Sequence, residues 1–268
     1  MLELNKIYNE DCLHTMSKMQ NNFIDLVVTS PPYDNLRTYN GYSFDFENTA
    51  KELFRITKKG GVVVWIVNDA TIKGSESGTS FRQALYFKEI GFNLHDTMIW
   101  MKKTPIPNDT RQNRYVQAME FMFIFSKGAP KVCNYIKQPC IMAGLPSGTS
   151  TSRKTDGSAR VDRKVKRKGK LVKDEKPLTN VWAYSNATIC KNHPAAFPEK
   201  LPNDHILSWS NKGDLVYDPF TGSGTTLKMA LINNRNFIGS EISTEYVEEA
   251  NRKISKNEVH INLFNSQN

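Results

Sequence analysis

Cysteine is scarce in this sequence, and the few cysteines are scattered. The chain of 268 residues has four, at positions 12, 133, 140 and 190, and none of them forms a close Cys-x-x-Cys pair. This spacing excludes the disulfide framework of a small secreted protein and the common zinc-binding patterns. A chain of this length buries a sizeable core without such staples. We therefore expect reduced thiols and no metal site.

Long apolar runs are also missing. No segment approaches the roughly 18 apolar residues that a membrane span needs, and no basic flank with an apolar stretch opens the chain. These absences predict a soluble, cytoplasmic protein without a membrane partner.

Positive charge is concentrated in one place. The formal net charge is +9, and residues 153–176 alone carry eleven Lys or Arg against four Asp or Glu, a net +7. Outside this run the protein is close to neutral. A charge run of this kind is often only a solvated face, but its place between two regular halves of the chain favours a contact with phosphates.

Apolar runs alternate with amphipathic stretches on both sides of the basic run. Strands are predicted at residues 23–28, 62–67, 95–101, 120–125, 213–218 and 237–241, with helices at residues 50–57, 80–90, 198–208, from 225 and at 244–256. We interpret Lys58–Gly61 as a helix stop. The alternation predicts a doubly wound, mostly parallel α/β sheet, divided as residues 1–128, a basic insertion at 129–180, and residues 181–268.

A glycine-rich turn follows the strand at residues 213–218. It reads Asp-Pro-Phe-Thr-Gly-Ser-Gly-Thr-Thr from Asp218 to Thr226, without the Lys of a nucleotide triphosphate loop or the three glycines of a nicotinamide site. A carboxylate such as Asp218 would repel phosphates and suits a cationic ligand. Glu241 ends the next strand, where an acid can bind two ribose hydroxyls. A positively charged nucleoside fits both acids, which points to S-adenosylmethionine.

A second motif, Thr-Ser-Pro-Pro-Tyr at residues 29–33, follows the first predicted strand. Pro31 and Pro32 fix the backbone and remove two amide donors, so the loop offers acceptors, the Ser30 hydroxyl and the Pro31 carbonyl. Tyr33 adds an aromatic ring beside them. Acceptors next to an aromatic ring suit the exocyclic amine of a flat base. The base would stack on the ring while the acceptors bind the hydrogens of its amine.

The two motifs together resemble those of the bacterial and phage DNA amino-methyltransferases that act on cytosine N4 or adenine N6. Their order, with the Ser-Pro-Pro-Tyr box first, is similar to the permuted β group of that family. The resemblance covers nearly the whole chain and implies a Rossmann-like class I methyltransferase fold. Its cofactor would be S-adenosylmethionine, and its substrate double-stranded DNA.

The resemblance also assigns residues. Ser30, Pro31, Pro32 and Tyr33 would be catalytic. The cofactor would be bound by four parts of the chain, with Asp11 the weakest assignment because Asn9 and Glu10 precede it where the family often has Gly. These cofactor residues are Asp11 and Cys12; Phe197, Pro198 and Lys200; and Asp218, Pro219, Phe220, Gly222, Ser223, Gly224, Thr225 and Glu241.

By resemblance the target base leaves the duplex, and its amine attacks the methyl group in one in-line displacement. No covalent enzyme intermediate is needed, so the cysteines have no required catalytic part. Ser30 favours cytosine, since Asp is more usual there among adenine enzymes, and adenine stays the alternative. The resemblance leaves open whether the chain pairs with a second copy or with a cognate restriction endonuclease.

Two surface segments are candidates for DNA contact. Residues 104–115 form a polar loop with two prolines. We interpret this loop either as a lid or base-reading loop, or as a plain connector. The centre of the basic run predicts phosphate contacts by Arg163, Lys164, Lys166, Arg167 and Lys168. Rival interpretations are a methyltransferase for RNA or protein glutamine, and a catalytically silent nucleic-acid-binding module. The basic run disfavours a protein substrate, and a silent module need not retain Ser30, Tyr33, Asp218 and Glu241 together.

Overall fold

The chain divides into two units. A computed structural model describes residues 2–32, 44–107, 113–147, 156, 158, 170–185 and 197–265, with side chains as far as residue 256. The first unit consists of Met1–Asn134 and Asn180–Asn268, and the second of Tyr135–Thr179. Within the described part of the chain, no helix is both long and apolar enough to cross a membrane.

Among the described residues, six helices and ten strands belong to the first unit, and two further strands belong to the second. The helices are α1 (Cys12–Ser17), α2 (Phe46–Ile56), α3 (Thr79–Glu89), α4 (Lys200–Trp209), α5 (Thr225–Ile232) and α6 (Thr244–Asn265). The first seven strands are β1 (Lys6–Tyr8), β2 (Ile24–Thr29), β3 (Thr57–Val67), β4 (Thr71–Ile72), β5 (Ser75–Glu76), β6 (Asn93–Lys102) and β7 (Met119–Ser126). The others are β8 (Lys137–Pro139), β9 (Glu175–Pro177), β10 (Val181–Tyr184), β11 (Leu215–Asp218) and β12 (Asn236–Ser240).

Eight strands form one sheet in the order β1-β12-β11-β2-β3-β7-β6-β10. Neighbours are parallel throughout except at β7, which is antiparallel to both β3 and β6. The predicted doubly wound, mostly parallel α/β sheet is therefore confirmed. The short β4 and β5 form a separate antiparallel hairpin after β3.

Helices pack on both faces of the sheet, which explains why central strands such as β2, β7 and β11 are mostly apolar and buried. Alternate side chains point to opposite faces. Val27, Val63 and Trp65 belong to a core cluster with residues of α1, α2 and α3. On the other face, Met122 contacts His205 of α4, with 3.2 Å between Sδ and Nε2.

The described part of the second unit contains one strand pair. β8 and β9 pair in antiparallel register, and a single bridge joins Pro146 to Leu171. The Lys137 ammonium lies 3.3 Å from the Glu175 carboxylate across this pair. All five predicted phosphate-binding residues, Arg163 to Lys168, lie outside the described residues.

The structure differs from the local predictions in three places. The prediction that Lys58–Gly61 ends a helix is wrong, because α2 ends at Ile56 and β3 begins at Thr57. The backbone turns into the strand one residue after the helix, so the glycines lie within β3. The second difference is β10 at Val181–Tyr184, where the sequence predicted no strand before the helix at residues 198–208. β10 pairs with β6 at the end of the sheet. The third difference is at the N-terminus, where β1 and α1 were not predicted.

Candidate functional site

Four groups of predicted site residues lie at one edge of the sheet. β1, β12, β11 and β2 are adjacent and parallel, so the residues that follow them lie at the same carboxyl edge. These residues are Asp11, Glu241, Pro219 to Thr225, and Ser30 to Pro32. Neighbouring strands are about 4.8 Å apart, which places the ends of this row within about 15 Å of each other.

The strand connections reverse direction between β11 and β2. β11 leads through α5 to β12 on one side, whereas β2 leads through α2 to β3 on the other. Such a switch point leaves a crevice beyond the carboxyl ends of the two strands, where ligands of doubly wound sheets bind. The glycine-rich loop and the Ser-Pro-Pro-Tyr box begin on the two sides of this crevice.

A hydrogen bond joins the two motifs at the switch point. The Thr29 hydroxyl donates to Asp218 Oδ1 over 2.7 Å, and the Phe220 amide donates to the same oxygen over 3.1 Å. Asp218 is only 2% exposed. Burial raises the pKa of this carboxyl to about 6, against the lowering effect of its hydrogen bonds, and the nearby Glu241 raises it further.

The glycine-rich loop packs tightly where it enters α5. Gly224 has φ +82°, and a Cβ there would lie 2.7 Å from the Cβ of Ala250 on α6. Both the backbone conformation and the space require glycine at this position. The Thr226 hydroxyl donates to the Val28 carbonyl over 3.3 Å, which ties the start of α5 to β2.

The Glu241 carboxylate is half-buried and holds two backbone amides. Oε2 accepts from the Gly222 amide over 2.8 Å, and Oε1 accepts from the Ser243 amide over 2.9 Å. Burial raises the pKa of this carboxyl. Each carboxylate oxygen has two acceptor positions, so Glu241 retains one on each oxygen for a ligand.

The turn between β1 and α1 lies against the end of β12. Asn9 donates from Nδ2 to the carbonyls of Glu241 and Ile242 over 2.9 and 3.0 Å, and its Oδ1 accepts from Thr244 over 2.8 Å. The sequence reasoning missed this role, because only the strand pairing brings Asn9 to Glu241. Asp11 is the N-cap of α1, and its side chain accepts from the Leu13 amide over 2.6 Å.

Cys12 is buried in the core cluster, where its sulfur lies 4.0 Å from the Thr49 hydroxyl. Burial, with the neighbouring Asp11 carboxylate as the second cause, raises the pKa of this thiol to about 12. The thiol is therefore protonated at neutral pH and is a poor nucleophile.

Ser30 and Pro32 are half-buried and Pro31 is buried, directly after β2. Tyr33 lies outside the described residues. The described chain continues at Phe44, whose ring lies 5.2 Å from that of Phe220 in the glycine-rich loop and 6.4 Å from that of Trp65. Aromatic packing thus joins Phe44 to the glycine-rich loop, a contact that the sequence did not predict.

The predicted cofactor segment that contains Phe197, Pro198 and Lys200 is described from residue 197 onward. Phe197 and Pro198 are half-buried, and Lys200 is exposed at the start of α4. The Lys200 ammonium lies 2.7 Å from Asp204 Oδ2, and the Tyr184 hydroxyl donates to the same oxygen over 2.6 Å. Lys200 therefore pairs with Asp204, and this network links the end of β10 to α4.

Comparisons with known proteins agree with this geometry. The N6/N4 DNA methylase family matches residues 24–252. The orphan methyltransferase M.BamHII of Bacillus amyloliquefaciens is 55% identical to the chain, and the alignment covers 86% of this chain and 88% of that protein.

Solved structures share the fold. The structure titled PvuII DNA methyltransferase (cytosine-N4-specific) has a TM-score of 0.70 at 24% identity, over 92% of this chain and 85% of that one. A putative DNA modification methylase of Thermus thermophilus, complexed with S-adenosyl-L-methionine, has a TM-score of 0.62 at 21% identity, over 94% and 93% of the two chains. The family match and the M.BamHII relative together show that the chain belongs to the N6/N4 family of DNA methylases.

Proposed function

We propose that the chain transfers a methyl group from S-adenosylmethionine to the exocyclic amine of a base in double-stranded DNA, with the cytosine 4-amino group as the favoured acceptor. The observation that carries this proposal is the Thr29–Asp218 hydrogen bond of 2.7 Å. It holds the amine-binding box and the cofactor loop side by side at the switch point of the sheet.

The residues on the cofactor side fit S-adenosylmethionine. Asp218 and Glu241 are acceptors in a partly desolvated site, which favours a ligand with positive charge and hydroxyl donors. Glu241 would accept from the ribose hydroxyls through its two remaining acceptor positions, and the Gly222 backbone would lie against the ligand. The negative charge of Asp218 would favour the cationic methionine end. When bound, S-adenosylmethionine supplies an electrophilic methyl group.

The residues on the box side would orient the acceptor. The Ser30 hydroxyl and the Pro31 carbonyl would accept hydrogens from the base amine and direct its lone pair, while Tyr33 stacks on the base. The base must leave the duplex to reach them, since pairing otherwise occupies its amine. A buried, protonated Cys12 is consistent with transfer that needs no enzyme thiolate.

Ser30 also supports cytosine as the target. A serine in this position is more usual among cytosine-N4 enzymes of the resembled family, and the PvuII enzyme is described as cytosine-N4-specific. The adenine 6-amino group is the alternative acceptor. Adenine carries an amine on an aromatic ring of similar chemistry, so the same hydroxyl and carbonyl would bind it.

The labelled methyl group tests the substrate class. Purified protein is incubated with methyl-labelled S-adenosylmethionine and, separately, with double-stranded DNA, RNA and a mixture of proteins. We expect label in DNA alone. Label in RNA or protein would support the rival methyltransferases, and absence of label from all three would support the silent binding module.

The basic run is proposed to bind DNA phosphates. Replacing Lys164, Lys166, Arg167 and Lys168 with alanine should weaken DNA binding. If all four contact phosphates, the slope of log affinity against log salt should fall by about 3 to 4, since each contact releases about 0.9 counterion. Affinity measured by fluorescence anisotropy across a salt series gives this slope.

A matched control removes the same charge from the edge of the sheet that lies opposite the candidate site. It replaces four exposed lysines near the amino ends of the strands: Lys59, Lys88, Lys131 and Lys212. The two variants have equal net charge, so a loss restricted to the basic-run variant assigns the contacts to that run. If the salt slopes of the two variants were equal, the basic run would be only a solvated face of the protein.

A further inference from the structure

The segment that leads into β7 is fixed on both sides of Tyr115. The Arg114 guanidinium donates to the Gly74 carbonyl over 2.6 Å and lies 3.3 Å from Glu76 Oε1, so it is bound to the β4–β5 hairpin. Two residues after Tyr115, Gln117 donates to Asn68 Oδ1 over 3.0 Å. These contacts hold the backbone of Tyr115 in a defined place.

The side chain between these anchors is almost wholly exposed. Tyr115 is 99% exposed, the highest value among the large apolar and aromatic side chains of the described residues. An exposed ring on a fixed backbone loses little side-chain entropy when it is covered, because only two torsions are restrained. Tyrosine is accordingly well suited to contact a partner at low entropic cost.

The position of Tyr115 relates it to the Ser-Pro-Pro-Tyr box. β2 and β3 are adjacent and parallel, and Thr29 is paired with Trp65. Asn68, which holds Gln117, is three residues beyond Trp65, about 10 Å further along the strand direction. Tyr115, two residues before Gln117, therefore lies toward the carboxyl edge of the sheet, the same edge at which Ser30 follows β2. We expect a duplex to lie across this edge while one of its bases enters the site.

We propose that Tyr115 stacks on the duplex beside the extruded nucleotide and stabilises the flipped state, with Arg114 as the residue that positions it. This inference rests on the proposed function, since it requires a flipped base in DNA. Extrusion removes base stacking, and an aromatic ring restores part of it without reading sequence. Tyr115 would thus act on base extrusion and leave the methyl transfer step to the box.

The test compares two duplexes that contain the methylated site, once it has been mapped by sequencing. One is fully paired, and the other has an abasic site opposite the target base, which makes extrusion easy. Tyr115→Ala should slow single-turnover methylation of the paired duplex by about 5- to 150-fold, the range that base–aromatic stacking supports. On the abasic duplex the defect should shrink to less than about 3-fold. Tyr115→Phe should remain close to the wild type on both.

Arg114→Met should give a weaker form of the same pattern, because the ring remains and only its anchor is lost. Leu85→Ala removes another exposed apolar side chain, on α3, and should leave both rates unchanged. Thermal unfolding of each variant monitors folding. A Tyr115→Ala enzyme that matches the wild type on paired DNA, or that is equally slow on both duplexes, would overturn the inference. A wild type inactive on DNA would instead refute the proposed function.

Discussion

Replacing Ser30 with alanine is expected to reduce the rate of methyl transfer by about 10²- to 10³-fold, the usual loss when one aimed hydrogen-bonding group is removed from a reaction centre. The Pro31 carbonyl would still bind one amine hydrogen, but the second would have no acceptor. Single-turnover rates at saturating S-adenosylmethionine measure the effect. The affinity for S-adenosylmethionine should be unchanged, since Ser30 is assigned to the amine side.

Ser30→Asp is the matched variant. Aspartate keeps an acceptor at the same position, so this enzyme should retain more activity than Ser30→Ala. Thermal unfolding of both variants shows whether each retains the fold. An alanine variant with wild-type turnover would contradict the assignment of Ser30 to the amine.

Replacing Asp218 with asparagine is expected to weaken S-adenosylmethionine binding by about 10- to 150-fold, the range for losing a hydrogen bond or attraction to a charged group. Asparagine keeps an oxygen for the Thr29 hydroxyl and the Phe220 amide, so the loop should persist. Isothermal titration at pH 7.5 measures the change. The affinity of the wild type should also rise with pH through about 6, as the Asp218 carboxyl ionises, and the affinity of the variant should lack this dependence.

The same substitution predicts a change in stability without ligand. The pKa of Asp218 is about 6 in the folded protein and 3.8 ordinarily, so the folded state binds more protons between these values. Stability from this group is therefore present at low pH and is lost as pH rises through about 6. The difference between these two pKa values corresponds to about 3 kcal/mol of unfolding free energy. Relative to Asp218→Asn, the wild type should lose about 2 kcal/mol of unfolding free energy between pH 4 and pH 7.5.

Asp214→Asn is the control for these measurements. Asp214 lies before β11 at the opposite edge of the sheet, where it accepts from the Asn211 amide over 2.7 Å. The Asp214→Asn variant should have the same affinity for S-adenosylmethionine as the wild type, with the same pH dependence. If Asp218→Asn binds S-adenosylmethionine as tightly as the wild type, Asp218 has no part in cofactor binding.

The fold was largely predictable from the sequence because local patterns dictate most of it. A strand segment that is buried on both faces, such as residues 62–67 of β3, appears as an uninterrupted apolar run. The glycine-rich loop was placed correctly at the start of α5, because a strand followed by glycines and a helix has few alternatives. Short elements were harder: β1 and β10 have only three and four residues, and their pairing partners are distant in sequence.

The partners within the site were not predictable in the same way. Thr29 and Asp218 are 189 residues apart, and Asn9 and Glu241 are 232 apart. Only the strand order β1-β12-β11-β2 brings these pairs together. The motifs predict that Asp218 and Glu241 bind a ligand, and the structure adds that both hold hydroxyl or amide groups of the protein itself. Lys200 similarly pairs with Asp204, which the motif did not indicate.

The most direct test of the proposed function is mass spectrometry of nucleosides from DNA methylated by the purified protein. DNA treated with methyl-labelled S-adenosylmethionine is digested completely, and the labelled nucleoside is identified. We predict deoxycytidine with the methyl group on its 4-amino nitrogen. A methyl group on the 6-amino nitrogen of deoxyadenosine would reverse the choice of base and preserve the amine mechanism. Label on a ring carbon, or unlabelled DNA, would contradict the account.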